Sequence, residues 1–371
     1  MSKRIYSLDV LRGVPIVIML FLDAPPDKIF DILEHSPWEG LTVPDLALPA
    51  FAFAMGASAA ISFSRREPTT SRIFKRVAIM FAVGVFLNVW FNLTPFLFGN
   101  EVTVGQLFDR LTTHFRPFGV IQRLALAYLC AFFVVQVCRR EVGILIAAFV
   151  LLTVSSLGFH LYAPENPFDE AHNISAAVDF IFPGANHIYT PTHEPEGLYG
   201  TLSTTASVLF GFLAGRILID NASRRDKIFL LATAGVVLLI AGLLWTNFDI
   251  VSKKLWTAPF ALVNAGGDLL LLALLTNLLD VSSTAKKFSR PLGALGTNPL
   301  FFYVMDNVVV ATLFYLPSPN ENLSLFDWLY QHTTAGFMST EVGATLFCVL
   351  WLLMWLPLAE LFYRRRIVIK I

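Results

Sequence analysis

The run His35-Ser36-Pro37-Trp38-Glu39-Gly40-Leu41-Thr42, with Asp45 just beyond it, sets an imidazole, carboxylates and an indole in one short stretch. Histidine is the side chain whose ordinary titration lies nearest neutral pH, so a positioned imidazole can take a proton from an attacking group and later return it. Asp45 would orient that imidazole and stabilise its charged form, and Asp23, which ends the apolar run 10–22, falls on the same side. Trp38 would cover the site or offer a flat surface to a ring. The alternatives are a solvated loop histidine at His35 and, at Asp23, a helix end enforced by Pro25-Pro26. The grouping of all four predicts an active site with His35 as its base.

The elements that must carry this loop are membrane helices. Of 371 residues 56% are apolar and only 15% charged, beyond the range of ordinary soluble domains. Apolar runs long enough to span recur at 10–22, 43–63, 73–92, 118–137, 142–162, 198–219, 228–247, 257–279, 291–316 and 342–363, which predicts an all-α polytopic membrane protein of about ten helices. The clusters Arg65-Arg66, Lys75-Arg76, Arg139-Arg140, Arg224-Arg225, Lys286-Lys287 and Arg364-Arg365-Arg366 fall on one side of the alternating loops. By the positive-inside rule both termini are then cytoplasmic in the inner (plasma) membrane, with His35 exoplasmic. The first run lacks a small-x-small cleavage site and is expected to stay as helix one. Three loops on the His35 side are long, 23–42, 93–117 and 163–197, and one domain, 1–371, accounts for the chain. Cys130, Cys138 and Cys348 lie in spans as packing residues, no metal-ligand spacing occurs, and zero net charge argues against a nucleic-acid partner.

Ionisable and amide side chains inside spans are costly and mark cavities or partners. Asp9 and Arg12 share a helix face, as an ion pair or as a portal for a charged cofactor. Gln122-Arg123 needs a ligand or a carboxylate such as Glu196, Asp45 or Asp23. Asn264 with Asp268, and Asn298 with Asp306 and Asn307, line a polar passage or hydrogen-bond neighbouring helices. Arg290-Pro291-Leu292-Gly293, after Lys286-Lys287, offers backbone amides and positive charge to phosphate.

Ordered motifs along the chain resemble the heparan-α-glucosaminide N-acetyltransferase family. Ser7-Leu8-Asp9-Val10-Leu11-Arg12-Gly13 is similar to its SLDxxRG, and the His35–Thr42 run with Asp45 and Pro49 to HxxWNGLTxxDLxFP. Gly119-Val120-Ile121-Gln122-Arg123 resembles GVLQR, Pro195-Glu196-Gly197 resembles DPEG, Lys254-Leu255-Trp256-Thr257 resembles KxLWT, and Gly296-Thr297-Asn298-Pro299-Leu300 resembles GxNxL. The resemblance implies transfer of an acetyl group across the membrane, from cytoplasmic acetyl-CoA as co-substrate to the amine of a glucosamine-type sugar, by a homodimer. It puts the active histidine on His35. Trp38, Glu39, Gln122, Arg123, Glu196, Trp256 and Asn298 are then expected around the acceptor, with Arg123 or Asn298 facing the oxyanion. The pantetheine arm would thread past Asp9, Arg12, Asn264, Asp268, Asn298 and Asp306, with the nucleotide near Arg12, Lys286, Lys287 and Arg290. Direct transfer and an acetyl-histidine intermediate both stay open. Three residues depart from the pattern: Asp23 replaces an Asn, Glu39 replaces the Asn of WNG, and Glu194 stands where DPEG has Asp. The rival reading is an amino-sugar permease, whose indispensable groups would be the mid-membrane acids Asp268 and Asp306.

Overall fold

The computed structural model describes residues 5–99, 102–281, 283–320, 322–336 and 339–369. They form fifteen α-helices in the order α1 (Tyr6–Leu22), α2 (Ala47–Arg65), α3 (Thr70–Leu97), α4 (Val104–Thr112), α5 (Val120–Cys138), α6 (Glu141–Tyr162), α7 (Ile174–Asp179) and α8 (Thr201–Ile219), then α9 (Arg224–Trp245), α10 (Ala258–Val281), α11 (Ser283–Phe288), α12 (Arg290–Leu295), α13 (Pro299–Leu313), α14 (Leu325–Tyr330) and α15 (Thr340–Arg364). Among the described residues there is no strand, only an isolated bridge between Pro317 and Ser324. The helices α2, α3, α5, α6, α8, α9, α10 and α15 are each long and apolar enough to cross a hydrocarbon core. The chain is a polytopic, all-helical membrane protein.

Two of the ten expected runs fall outside these eight. The first is α1, of 17 residues. The ninth, 291–316, is broken: α12 stops at Leu295, Gly296 to Asn298 turn, and α13 restarts for 15 residues with Pro299 at its first position. Proline has no N–H to give to the preceding turn and suits a helix start, so Asn298-Pro299 interrupts the apolar run.

Small residues let the central helices touch backbone to backbone. A Cβ on Gly56 would strike the Val208 carbonyl and one on Gly211 the Phe53 carbonyl, so α2 and α8 pack with no side chain between them at these points. Without a hydrophobic driving force between helices in lipid, such close packing is a main source of their association. Gly13 and Gly296 do the same for α1 against α12, meeting Leu292 and Asp9 backbone atoms. α1, α2 and α13 thus stand together. They carry Asp23, Asp45 and Asn307 at one end and Arg12, Ser58 and Asn298 at the other.

Candidate active site

His35 is placed by a tight loop. Gly40 adopts φ 119°, a conformation open to glycine, and its N–H donates to Val251 O at 2.8 Å, while Ser36 Oγ donates to Glu39 O at 2.6 Å. Asp45, 1% exposed at the start of the second membrane helix, has both oxygens engaged. Its Oδ2 accepts from Ser36 N at 3.2 Å, Thr42 N at 3.2 Å and Thr42 Oγ1 at 2.8 Å. Its Oδ1 lies 2.7 Å from His35 Nδ1. An ionised carboxylate can only accept, so it selects the imidazole tautomer with the proton on Nδ1 and leaves Nε2 a lone pair. The His35 side chain keeps 49% exposure, so part of the ring is open to a reactant.

The sequence reading missed Lys253, in the loop before α10. Its Nζ lies 3.0 Å from His35 Nδ1, 3.4 Å from His35 Nε2 and 3.6 Å from Asp45 Oδ1. Burial lowers the Lys253 pKa, while Asp45, Glu196 and Asp23 pull the other way. The signal was present: in KxLWT spacing the lysine falls on 253, one residue before the start of the stretch compared above. Asp23 caps the end of α1 and accepts from Asn307 Nδ2 at 3.2 Å. Water reaches its carboxylate, yet protein packs around it, and the lost hydration raises its pKa against the pull of His35 and Lys253.

A second layer backs this cluster. Arg116, also missed, donates its fork to both Glu194 and Glu196, and its guanidinium lies 4.7 Å from the centre of the Tyr189 ring. Burial disfavours the Arg116 charge, but the two carboxylates outweigh it and hold the pKa above its ordinary value. Glu194 also accepts from Tyr189 N at 3.0 Å and Glu196 N at 3.1 Å, so the longer acid at that departure serves as the keystone of a loop. Arg123 does not take the ion-pair role open to it in the sequence: it donates to Thr204 Oγ1 at 2.9 Å and to Pro195 O, and lies 4.8 Å over the Trp256 ring. Trp256 is fully buried with φ 52°, rare for a bulky residue, and donates from Nε1 to Ser207 Oγ at 3.2 Å. Gln122 is buried against Gly84 and Gly119. Trp38 donates to Phe168 O at 2.8 Å and meets His193 edge-on at 5.0 Å, and Glu39 is exposed.

At the opposite end of α1 and α2 lies a cavity of about 500 Å³, within the size range of small-molecule sites. Its polar lining is Arg12, Ser58, Arg76, Thr297 and Asn298, and Tyr303 and methionines face it deeper in. Arg12 donates from Nε to Ser58 Oγ at 2.9 Å and pairs with Asp9 at 3.3 Å. Asn298 is therefore not brought to His35, because the helix break at 296–298 leaves it at this cavity. Asp306 accepts from the indoles of Trp351 and Trp355 at 2.8 and 2.9 Å, and Asn264 Nδ2 donates to Phe260 O of its own helix at 2.8 Å. Neither they nor the buried Asp268 line the cavity, so the expected passage does not run through them. Lys286 and Lys287 are exposed on α11, and Arg290 pairs with Glu360.

A family model described as heparan-alpha-glucosaminide N-acetyltransferase, catalytic, matches residues 4–243, well over half of the chain. Heparan-alpha-glucosaminide N-acetyltransferase of Homo sapiens is 23% identical over 431 residues, covering 100% of this chain and 60% of its own. The Mus musculus protein of the same name is 23% identical over 440 residues, covering 100% of this chain and 61% of its own. The chain thus spans about 60% of the length of these curated relatives. His35, Asp45, Arg116, Arg123 and Glu196 fall inside the matched stretch, whereas Lys253, Asn298 and Asn307 lie beyond it. With the ordered motifs, the helical membrane architecture and the family match in agreement, the chain belongs to the heparan-alpha-glucosaminide N-acetyltransferase family.

Proposed function

We propose that the protein is a transmembrane N-acetyltransferase that moves an acetyl group from cytoplasmic acetyl-CoA to the amine of a glucosamine-type sugar on the exoplasmic side of the inner (plasma) membrane. The observation that carries this reading is the pairing of a half-exposed His35 with the fully engaged Asp45 at one end of α1 and α2, with the Arg12 cavity toward the other. The cavity suits a thioester donor: Arg12 and Arg76 supply positive charge at its polar end, and methionines and aliphatic side chains line the rest for a flexible arm.

An amine attacks a thioester only when unprotonated. His35 Nε2 accepts the amine proton as nitrogen bonds to the acetyl carbon, and Asp45 stabilises the imidazolium through Nδ1–H. Lys253 Nζ, beside the ring, is placed to donate to the oxyanion, a role for fixed positive donors. Collapse of the tetrahedral intermediate breaks the C–S bond, and the proton held on His35 neutralises the departing thiolate, giving amide and free CoA. Trp38 and the Arg116, Glu194 and Glu196 loop shape the acceptor side. A permease needs Asp268 and Asp306 on a polar path; here two indoles occupy Asp306, so transport has no supporting observation.

The test is thiol release from acetyl-CoA by purified protein in liposomes with glucosamine as acceptor. Wild type is expected to turn over, and His35→Ala to lose at least roughly a thousandfold in rate while still binding CoA. No thiol release with any amine acceptor, together with no CoA binding, overturns the reading.

A further inference from the structure

The segment after α15 does not run away from the bundle. Arg366 adopts φ 55°, Ile367 N–H donates to Phe362 O at 2.9 Å, and the chain then passes Asn298. There the Asn298 amide binds the backbone on both sides of Val368: Nδ2 donates to Ile367 O at 2.9 Å, and Oδ1 accepts from Ile369 N–H at 2.7 Å. A side-chain amide used in this way takes the place of a neighbouring strand. Val368 and Ile369 form part of the wall of the Arg12 cavity, at the end where Thr297 and Asn298 lie.

The hold is light. Ile367, Val368 and Ile369 keep 39%, 47% and 45% exposure, so apart from the two hydrogen bonds to Asn298 the segment buries little. Asn298 makes no capping bond at the start of α13, and its one local bond is from Nδ2 to Thr297 Oγ1 at 3.1 Å. Both of its polar atoms also hold the chain that lines the cavity. Any ligand using the same amide must first displace that chain.

We propose that residues 366–369 are a strap across the polar mouth of the cavity, latched by Asn298, which opens to admit a linear, amide-bearing thioester donor whose own amides then take the bonds that Val368's neighbours release. The identity of the donor rests on the acetyltransferase reading above; the strap does not. The exchange is chemically even, since the latch uses the C=O of one peptide group and the N–H of the next, and a pantetheine-like arm carries two amides of the same kind. Arg364 and Arg365, immediately before the strap, and Arg366 at its start place exposed positive charge where the anionic end of such a donor would approach.

The test uses the full chain with Cys130, Cys138 and Cys348 replaced by alanine and a single reporter, Met55→Cys, in the cavity wall. Labelling by a water-soluble maleimide is followed with the strap intact, with Asn298→Ala, and with Ile369→Pro, which removes only the N–H that Asn298 accepts. Asn298→Ala, which removes both latch bonds, is expected to label roughly tenfold faster or more, and Ile369→Pro, which removes one, roughly threefold faster or more. Ile369→Pro, which keeps the Asn298 amide for a ligand, is expected to lower the KM for acetyl-CoA several-fold with kcat unchanged, whereas Asn298→Ala raises it. Labelling at the wild-type rate in both variants overturns the strap, whatever the activity. Faster labelling without any change in acetyl-CoA KM keeps the strap as a gate and removes the donor from this cavity.

Discussion

Lys253 shows how charge is arranged around His35. One ammonium stands among Asp45, Asp23 and Glu196, close enough to both ring nitrogens of His35 to follow the proton wherever it moves. His35, Asp45 and Trp38 were legible because they share one loop; Lys253 arrives from 218 positions away, and Arg116 sits in a loop whose partners lie 78 and 80 positions on. Asn298 stood in two readings, beside the acceptor and on the donor's passage, and the structure brings it to the cavity, because a motif gives neighbours in sequence, not the direction in which a broken helix turns. Asp179 makes a prediction at this scale. It is fully buried, its Oδ1 accepts from Leu198 N at 3.0 Å, and burial pushes its pKa up from 3.8 to about 7, with Glu194 adding to it and Arg123 opposing. The folded protein therefore keeps a proton that the unfolded chain releases. The associated stability is fully present below the unfolded pKa and is lost as pH rises through the folded one, between 3.8 and about 7. Asp179→Asn keeps an acceptor for Leu198. Its thermal midpoint in detergent is expected to fall by several degrees less than that of wild type between about pH 5 and 7.5; equal slopes would show that Asp179 stays ionised in the fold.

Helices were the most legible part of the chain, since an apolar run in lipid has few other ways to satisfy its backbone. Their contacts were less so, because glycines that bring two backbones together look like any other glycine in a membrane helix. Gly211 and Gly105 separate the two cases. A Cβ on Gly211 strikes the Phe53 carbonyl, whereas one on Gly105 meets nothing within 4 Å. Gly211→Leu must push α8 off α2 and is expected to cost about 3 kcal/mol or more, seen as loss of the monodisperse protein on size exclusion. Gly105→Ala, on the exposed surface of α4, is expected to leave the protein unchanged or to stabilise it by about 0.5 kcal/mol. Similar yields for the two would mean that α2 and α8 can separate without harm. The loop between α3 and α5 held α4, which the sequence reading missed although Val104, Leu107, Phe108 and Leu111 repeat at helical spacing. Its capping box, Thr103 with Gln106, marks the start.

Across the whole molecule the polar groups divide between two ends, and the proposed orientation gives each end a compartment. Glu39, at the His35 end, and Lys287, on α11, are both exposed. In a cysteine-replaced background, Glu39→Cys is expected to react with a membrane-impermeant maleimide in intact cells, and Lys287→Cys only after permeabilisation. The reverse pattern would invert the protein and, with it, the side from which the donor arrives. The basic clusters alone predict this division from the sequence, whereas the loops around His35 depend on long-range pairs such as Arg116 with Glu194.

Asp45 lies in the short turn that leads into α2 and Ser58 stands three turns and more along from it, and α2 is pinned to α8 where Gly56 and Gly211 bring the backbones into contact. At 1.5 Å per residue those two side chains stand about 20 Å apart, a separation that no rotamer change can shorten. The helix is thus a measuring rod. A carrier anchored at Arg12 and Ser58 delivers its reactive carbon to His35 only if its flexible arm has that reach. Truncated thioesters should therefore fail on length even where their chemistry is identical, and selectivity for the carrier would be written in a distance rather than in a set of contacts.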